Sequence, residues 1–135
     1  QGYTELTLRT MKTRLLIIVL LASISLISCS DSRDDIIKKG YFDRCPDYTV
    51  EELINDFFED AYWESFISPD DNRYHLDVSG VIYLQEYNIP VDALIQFQLN
   101  GGDRWEINAF TINSEPQDVE QYYYLIDSMC MSYSY

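Results

Sequence analysis

Residues 91–112 read VDALIQFQLNGGDRWEINAFTI, two alternating apolar runs on either side of Asn100-Gly101-Gly102-Asp103. Alternation at a period of two puts every second side chain on one face of a strand. Ala93, Ile95, Phe97 and Leu99 therefore form one stripe, and Trp105, Ile107 and Ala109 form another. The turn decides how the stripes meet. A two-residue Gly101-Gly102 loop sets Gln98 opposite Trp105 and Phe97 opposite Glu106, with apolar beside polar throughout. A three-residue Asn100-Gly101-Gly102 loop sets Phe97 opposite Trp105, Ile95 opposite Ile107 and Ala93 opposite Ala109, which keeps one apolar face. The three-residue hairpin is the expected one, although Gly101-Gly102-Asp103 has the same parity. An antiparallel sheet with one dry face follows from it.

Upstream, Tyr74, Leu76, Val78, Ile82 and Leu84 recur every second residue around Gly80, which marks a bulge or a close approach. His75, Asp77, Ser79, Val81 and Tyr83 fill the opposite, solvent-facing side. Residues 62–67 alternate as a shorter strand, with Trp63 and Ile67 on one side and Tyr62 and Phe66 on the other. Thr49 and Glu52 form a capping box with Tyr48 and Leu53 as staple. They open a helix in which Leu53, Ile54, Phe57, Phe58 and Ala61 share a face while Glu51, Glu52, Asp56, Glu59 and Asp60 stay outside. Ser114, with Pro116 and Gln117 behind it, is placed to cap a closing helix. Its Val119, Tyr122, Tyr123, Ile126, Met129 and Cys130 point inward. The order helix, four strands, helix predicts an α+β fold, with an antiparallel sheet of about four strands and an N-terminal and a C-terminal helix packed on it.

The amino-terminal third reads differently. Met11, Lys12 and Arg14 precede an apolar run from Leu15 to Ile27, and Ser28 stands before Cys29. Charge, a short apolar core and a small residue make a secretory signal, too short for a comfortable transmembrane helix. Leu26-Ile27-Ser28-Cys29 resembles the lipobox of bacterial lipoproteins. The resemblance implies cleavage before Cys29, then a diacylglycerol and a palmitate-type acyl chain on that residue, and a membrane partner held through the lipid alone. Outside the lipid no cofactor is expected. The implied organisation is residues 1–10 as upstream or expression-derived sequence, 11–28 as signal, 29–39 as a lipidated tether and 40–135 as one globular domain. The implied location is the bacterial cell envelope, with the outer membrane favoured. Asp31, Asp34 and Asp35 loosely resemble surface-sorting signals of lipoproteins, though a solvated spacer accounts for them as well.

From Cys29 onward there are 22 acidic against 6 basic side chains, a net charge of −16. Such a surface repels nucleic acid and favours basic partners, in a salt-sensitive way. With Cys29 claimed by lipid, Cys45 and Cys130 remain as a pair that export would allow to form a disulfide.

No catalytic constellation appears. His75 has no ligand at metal spacing, Ser79-Gly80 is not a nucleophile elbow, and Pro69-Asp70-Asp71-Asn72 lacks the glycine and distal glutamate of a calcium loop. A non-enzyme without a metal is expected. Eleven tyrosines follow Cys29, and tyrosine combines large contact area with a polar handle. Tyr83, Tyr87 and Tyr124, with Glu51, Glu59 and Asp60, are the candidate partner-binding residues. The leading expectation is a lipid-anchored envelope protein that binds another protein, as an assembly accessory or as an inhibitor of a basic enzyme. The alternative is a small-ligand or polysaccharide-binding module that stacks its ligand on Trp105 and tyrosines. Thr49-Val50-Glu51-Glu52, Trp63-Glu64, Ile95-Gln96-Phe97 and Asn108-Ala109-Phe110 together resemble small exported bacterial domains of uncharacterised function, a likeness that implies no activity.

Overall fold

The computed structural model describes residues 31–135. Residues 1–10, the expected signal at 11–28 and the lipidation site Cys29 lie outside the described residues. Among the described residues the architecture is α+β, with three helices, a two-stranded antiparallel sheet and a five-stranded antiparallel sheet.

Part of the expected tether is a helix, α1 (Ser32–Lys38). Asp31 caps it through the Arg33 amide, Asp34 and Asp35 occupy the first turn and Lys38 the last, an arrangement that suits the helix dipole. Ile37, one of two isoleucines in an otherwise polar segment, is fully buried and draws the helix onto the domain. Arg33 and Lys38 lie over the Tyr74 and Trp63 rings, at 4.2 and 5.0 Å. Tyr74 also donates its hydroxyl to Asp34. Burial, and then that carboxylate, push the Tyr74 phenol up to about 12.

Strands β1 (Tyr41–Phe42) and β2 (Cys45–Thr49) pair in a short antiparallel hairpin. Phe42 is buried, but Tyr41 points outward. The capping box forms as expected: the Glu52 amide donates to Thr49 Oγ1 at 3.2 Å, and the Thr49 amide donates to Glu52 Oε2 at 2.8 Å. It opens α2 (Val50–Phe57), which buries Val50, Leu53 and Ile54. The helix stops one turn early. Phe58 is extended, and β3 (Glu59–Ile67) starts at once, with Glu59 opposite Val81. Asp60, at φ +52°, is part of a bulge, so Glu59, Asp60 and Ala61 leave the helix they were expected to join.

The bulge faces Gly80 of β4 (Tyr74–Leu84). A Cβ at Gly80 would stand 2.8 Å from the Glu59 carbonyl oxygen and 3.2 Å from the Phe58 ring. Glycine is what lets the helix exit pass this close to the sheet. Strand β5 (Ile89–Gly101) pairs β4 in unbroken register, with Leu76 opposite Phe97, Val78 opposite Ile95 and Ile82 opposite Val91.

Strand β6 (Arg104–Ile112) keeps the expected dry face as far as Ile107, but not the expected partners. Gly101 pairs Arg104, Leu99 pairs Trp105 and Phe97 pairs Ile107. The turn is thus tighter and the pairing two residues out from the Asn100-Gly101-Gly102 expectation, with Gly101 and Gly102 both at positive φ. Asn108 is then an extra residue. Ile95 faces Phe110 and Ala93 faces Ile112, while Ala109 falls opposite Gln96 on the wet face. Instead of opening the last helix, Glu115 and Pro116 form the short strand β7 (Glu115–Pro116), paired with Ile112 and Thr111. Asp118 is the cap of α3 (Val119–Tyr133), accepting from the Gln121 amide at 3.0 Å. With the helix start displaced by four residues, Leu125, Ile126 and Met129 carry the buried face. Val119 and Tyr123, expected inward, are exposed. Buried residues of all three helices join Leu76, Val78, Ile95, Phe97 and Phe110 in one apolar cluster.

Candidate functional site

Five of the six candidate partner-binding residues gather at the end of the domain where β4 turns into β5. Tyr83, on the wet face of β4, is 40% exposed and donates its hydroxyl to Glu59 Oε2 at 3.2 Å. The carboxylate raises the phenol above its ordinary ionisation range. Asp60 follows on the bulge. Tyr87 stands 70% exposed in the connecting turn, where the amides of Tyr87 and Asn88 both donate to the Leu84 carbonyl, at 3.1 and 2.8 Å. Tyr124 projects from α3 and is 61% exposed.

Tyr83 and Tyr124 line one small cleft of about 90 Å³, whose apolar walls include Phe57, Leu84, Phe110 and Leu125. On the wet face beside it lies a hollow of about 410 Å³ with Glu59, Asp60 and Asp92 in its lining and no basic side chain. Glu59 lines that hollow and accepts the hydrogen bond of Tyr83, which lines the cleft, so one hydrogen bond links the two. Exposed Leu84 and Ile89 extend the apolar part. Glu51 is not part of this surface. It sits in the first turn of α2, about 9 Å along the axis from Phe57.

Cys45 and Cys130 form a disulfide, with S–S 2.09 Å and Cα–Cα 5.9 Å. Beside it Arg44 donates from Nε and Nη2 to both oxygens of Asp127, at 2.9 and 2.6 Å, and holds that carboxyl below its usual range.

His75 lies on the expected wet face, yet it is only 3% exposed. The Phe66 ring stacks on it at 5.3 Å and 9°, and Asp71 closes over Nε2 at 3.3 Å. Face parity says nothing of a neighbour's ring lying down over a small imidazole. Sequence reading also passed over Asp77, two residues on, which stands opposite Glu64 of β3. Its Oδ1 and the His75 Nδ1 are buried without a hydrogen-bond partner among the described residues. Burial foremost, then Glu64, raise the Asp77 carboxyl above 3.8, against the opposing pull of Gln96 and His75. A carboxyl raised in the folded state penalises folding while it is ionised, and the penalty disappears as pH falls through that pKa to the unfolded value. Asp77→Asn is therefore expected to stabilise the domain at pH 7. The gain should vanish near pH 3. Urea melts at the two pH values check this, and equal stability at pH 7 counts against it.

Among the described residues, the His75 side chain has hydrogen-bond contacts to Asp71 alone, and no nucleophile is set against the imidazole. Among the described residues, no three His, Cys, Asp or Glu side chains are grouped to hold a metal ion. No protein-family model matches the chain, and no curated protein or solved structure matches it either.

Proposed function

We propose that the chain is a lipid-anchored, non-enzymatic envelope protein whose Tyr83–Tyr87–Tyr124 end binds a basic protein, as an assembly accessory or as an inhibitor of a basic enzyme. The observation that carries the reading is the hydrogen bond from Tyr83 of the cleft to Glu59 of the hollow. An apolar cleft flanked by Tyr83 and Tyr124 is linked through the Tyr83–Glu59 hydrogen bond to a hollow lined by three carboxylates, Glu59 among them. A lysine or arginine of the partner fits the hollow, and an adjacent apolar side chain fits the cleft. Rigid tyrosines bring contact area at small entropic cost, and buried aromatic anchors are where binding energy concentrates. The net charge of −16 draws a basic partner in and fixes its orientation. The signal at 11–28 and Cys29 supply the anchor in this reading.

Photo-crosslinking from position 87 of the full chain in intact envelopes tests it. One dominant adduct with a basic protein is expected, lost in the Tyr83→Ala/Tyr124→Ala variant. It should fade at about 1 M salt, where the screening length is roughly 3 Å. No adduct, or an adduct indifferent to both changes, overturns the proposal.

A further inference from the structure

A second concavity lies away from this end. It is a groove of about 650 Å³ walled by the β1–β2 hairpin, the start of β6 and the first two turns of α3. Five aromatic residues line it: Tyr41 and the buried Phe42 from the hairpin, Trp105 from β6, and Tyr122 and Tyr123 from α3. Tyr41 and Tyr123 are the open ones, 53% and 40% exposed. Trp105 is braced from behind, edge-on to Phe42 and Phe97 at 5.8 and 5.5 Å. Tyr122 and Tyr123 meet edge to face at 4.7 Å. Trp105, Tyr122 and Tyr123 are therefore held in place before any ligand arrives.

The charges around them differ from those elsewhere on the domain. Arg44 and Arg104 line the groove among the carboxylates of Asp43, Asp103 and Glu106, whereas the acidic hollow has carboxylates alone. Arg44 is already committed to Asp127 and lies over the Tyr123 ring at 4.8 Å. Arg104 makes no ion pair among the described residues. A polyanion entering here meets three carboxylates on a domain of net charge −16, and a polycation meets two guanidiniums while a better site lies elsewhere. An uncharged ligand rich in hydroxyls meets donors and acceptors of both kinds, with flat apolar rings between them.

We propose that this groove binds a neutral glycan chain, its sugar rings stacked on Tyr41 and Tyr123 and its hydroxyls bonded to Arg104, Asp103 and Glu106. The site is separate from the protein-binding end and does not depend on it.

The test titrates the full chain, in a detergent without a sugar headgroup, with cellohexaose, maltohexaose, mannohexaose and chitohexaose. Hexagalacturonate and hexaglucosamine serve as charged comparators, and calorimetry and tryptophan emission as readouts. At least one neutral hexasaccharide should bind with a Kd of about 1 mM or tighter. Tyr41→Ala and Tyr123→Ala should each weaken it by about threefold to tenfold, and Tyr87→Ala should leave it unchanged. Binding by none of the four neutral chains overturns the proposal. So does tighter binding of a charged comparator, which would mark the groove as an ionic site. Affinity indifferent to both tyrosine changes, or lost with Tyr87→Ala, would put the ligand somewhere else and has the same result.

Discussion

Opening the bridge between Cys45 and Cys130 is expected to cost about 4–5 kcal/mol. The two residues are 85 apart in sequence, so the bond closes most of the domain into one loop, and the chain-entropy relation gives this magnitude for a loop of that length. Domains of this size are stable by about 5–15 kcal/mol in total, which makes the bridge a major share. The native contacts around it are modest by comparison. Arg44 pairs with Asp127 in a half-exposed position, and the Tyr48 and Tyr133 rings meet at 4.6 Å. An exposed ion pair contributes about 1 kcal/mol or less, so neither contact replaces the covalent link between β2 and α3. In a urea melt of the full chain, reduction or the Cys45→Ser/Cys130→Ser substitution should lower the midpoint by about 2 M. The m-value should rise, because the denatured chain is no longer held in a loop. Coincident oxidised and reduced midpoints would mean that the bond does not constrain the chain in solution. The same seam walls the glycan groove through Arg44 and Tyr123, so reduction should also weaken any binding there.

The parts of the fold that sequence made legible are those where one periodicity ran without interruption. The alternation through residues 74–84 ends where β4 ends, and the capping box marks the residue at which α2 begins. Parity identified the dry face of β5 and of β6 as far as Ile107, beyond which Phe110 and not Ala109 points inward. Register was another matter, because a shift of two residues leaves every side chain on its proper face and so leaves no trace in the pattern. The extra residue at Asn108 is equally silent, since a bulge has no composition of its own. At the end of α2, Phe57, Phe58 and Ala61 satisfy helical spacing, yet the backbone leaves the helix at the extended Phe58, ahead of the bulge at Asp60. Pro116 suits the first turn of a helix as well as it suits an edge strand, and the pairing with Thr111 decides for the strand. Of the candidate surfaces, the tyrosine end was partly legible, because alternation and helical period mark Tyr83 and Tyr124 as outward. That they share a cleft is a tertiary fact. The groove was hidden for the same reason, being assembled from three elements whose aromatic residues carry no common spacing. Trp105 was the one member that sequence singled out.

Phe97→Ala is expected to destabilise the domain by about 3–5 kcal/mol, the range for truncating a fully buried aromatic ring. Phe97 is fully buried at the centre of β5, and its ring meets three others: Phe42 at 6.3 Å, Trp63 at 6.4 Å and Trp105 at 5.5 Å. These come from β1, β3 and β6, so one side chain ties the small sheet to both sides of the large one. Collapse around the deletion is hindered on the sheet side, since Leu76 and Ile107 opposite it are held by the backbone ladder. The cavity should therefore remain largely open, placing the cost in the upper part of that range. Two readouts separate this from a general loosening. The urea midpoint should fall with the m-value unchanged, which marks lost native stability and not a changed denatured state. The near-ultraviolet circular dichroism of Trp63 and Trp105 should change even under conditions where the variant is folded, because both indoles lose the ring they pack against. A Phe97→Leu variant, which keeps most of the volume, should recover more than half of the stability and little of the aromatic signal. A cost below about 1.5 kcal/mol for the alanine variant would show that the core closes over the gap. Phe42, Trp63 and Trp105 would then be held by contacts other than Phe97.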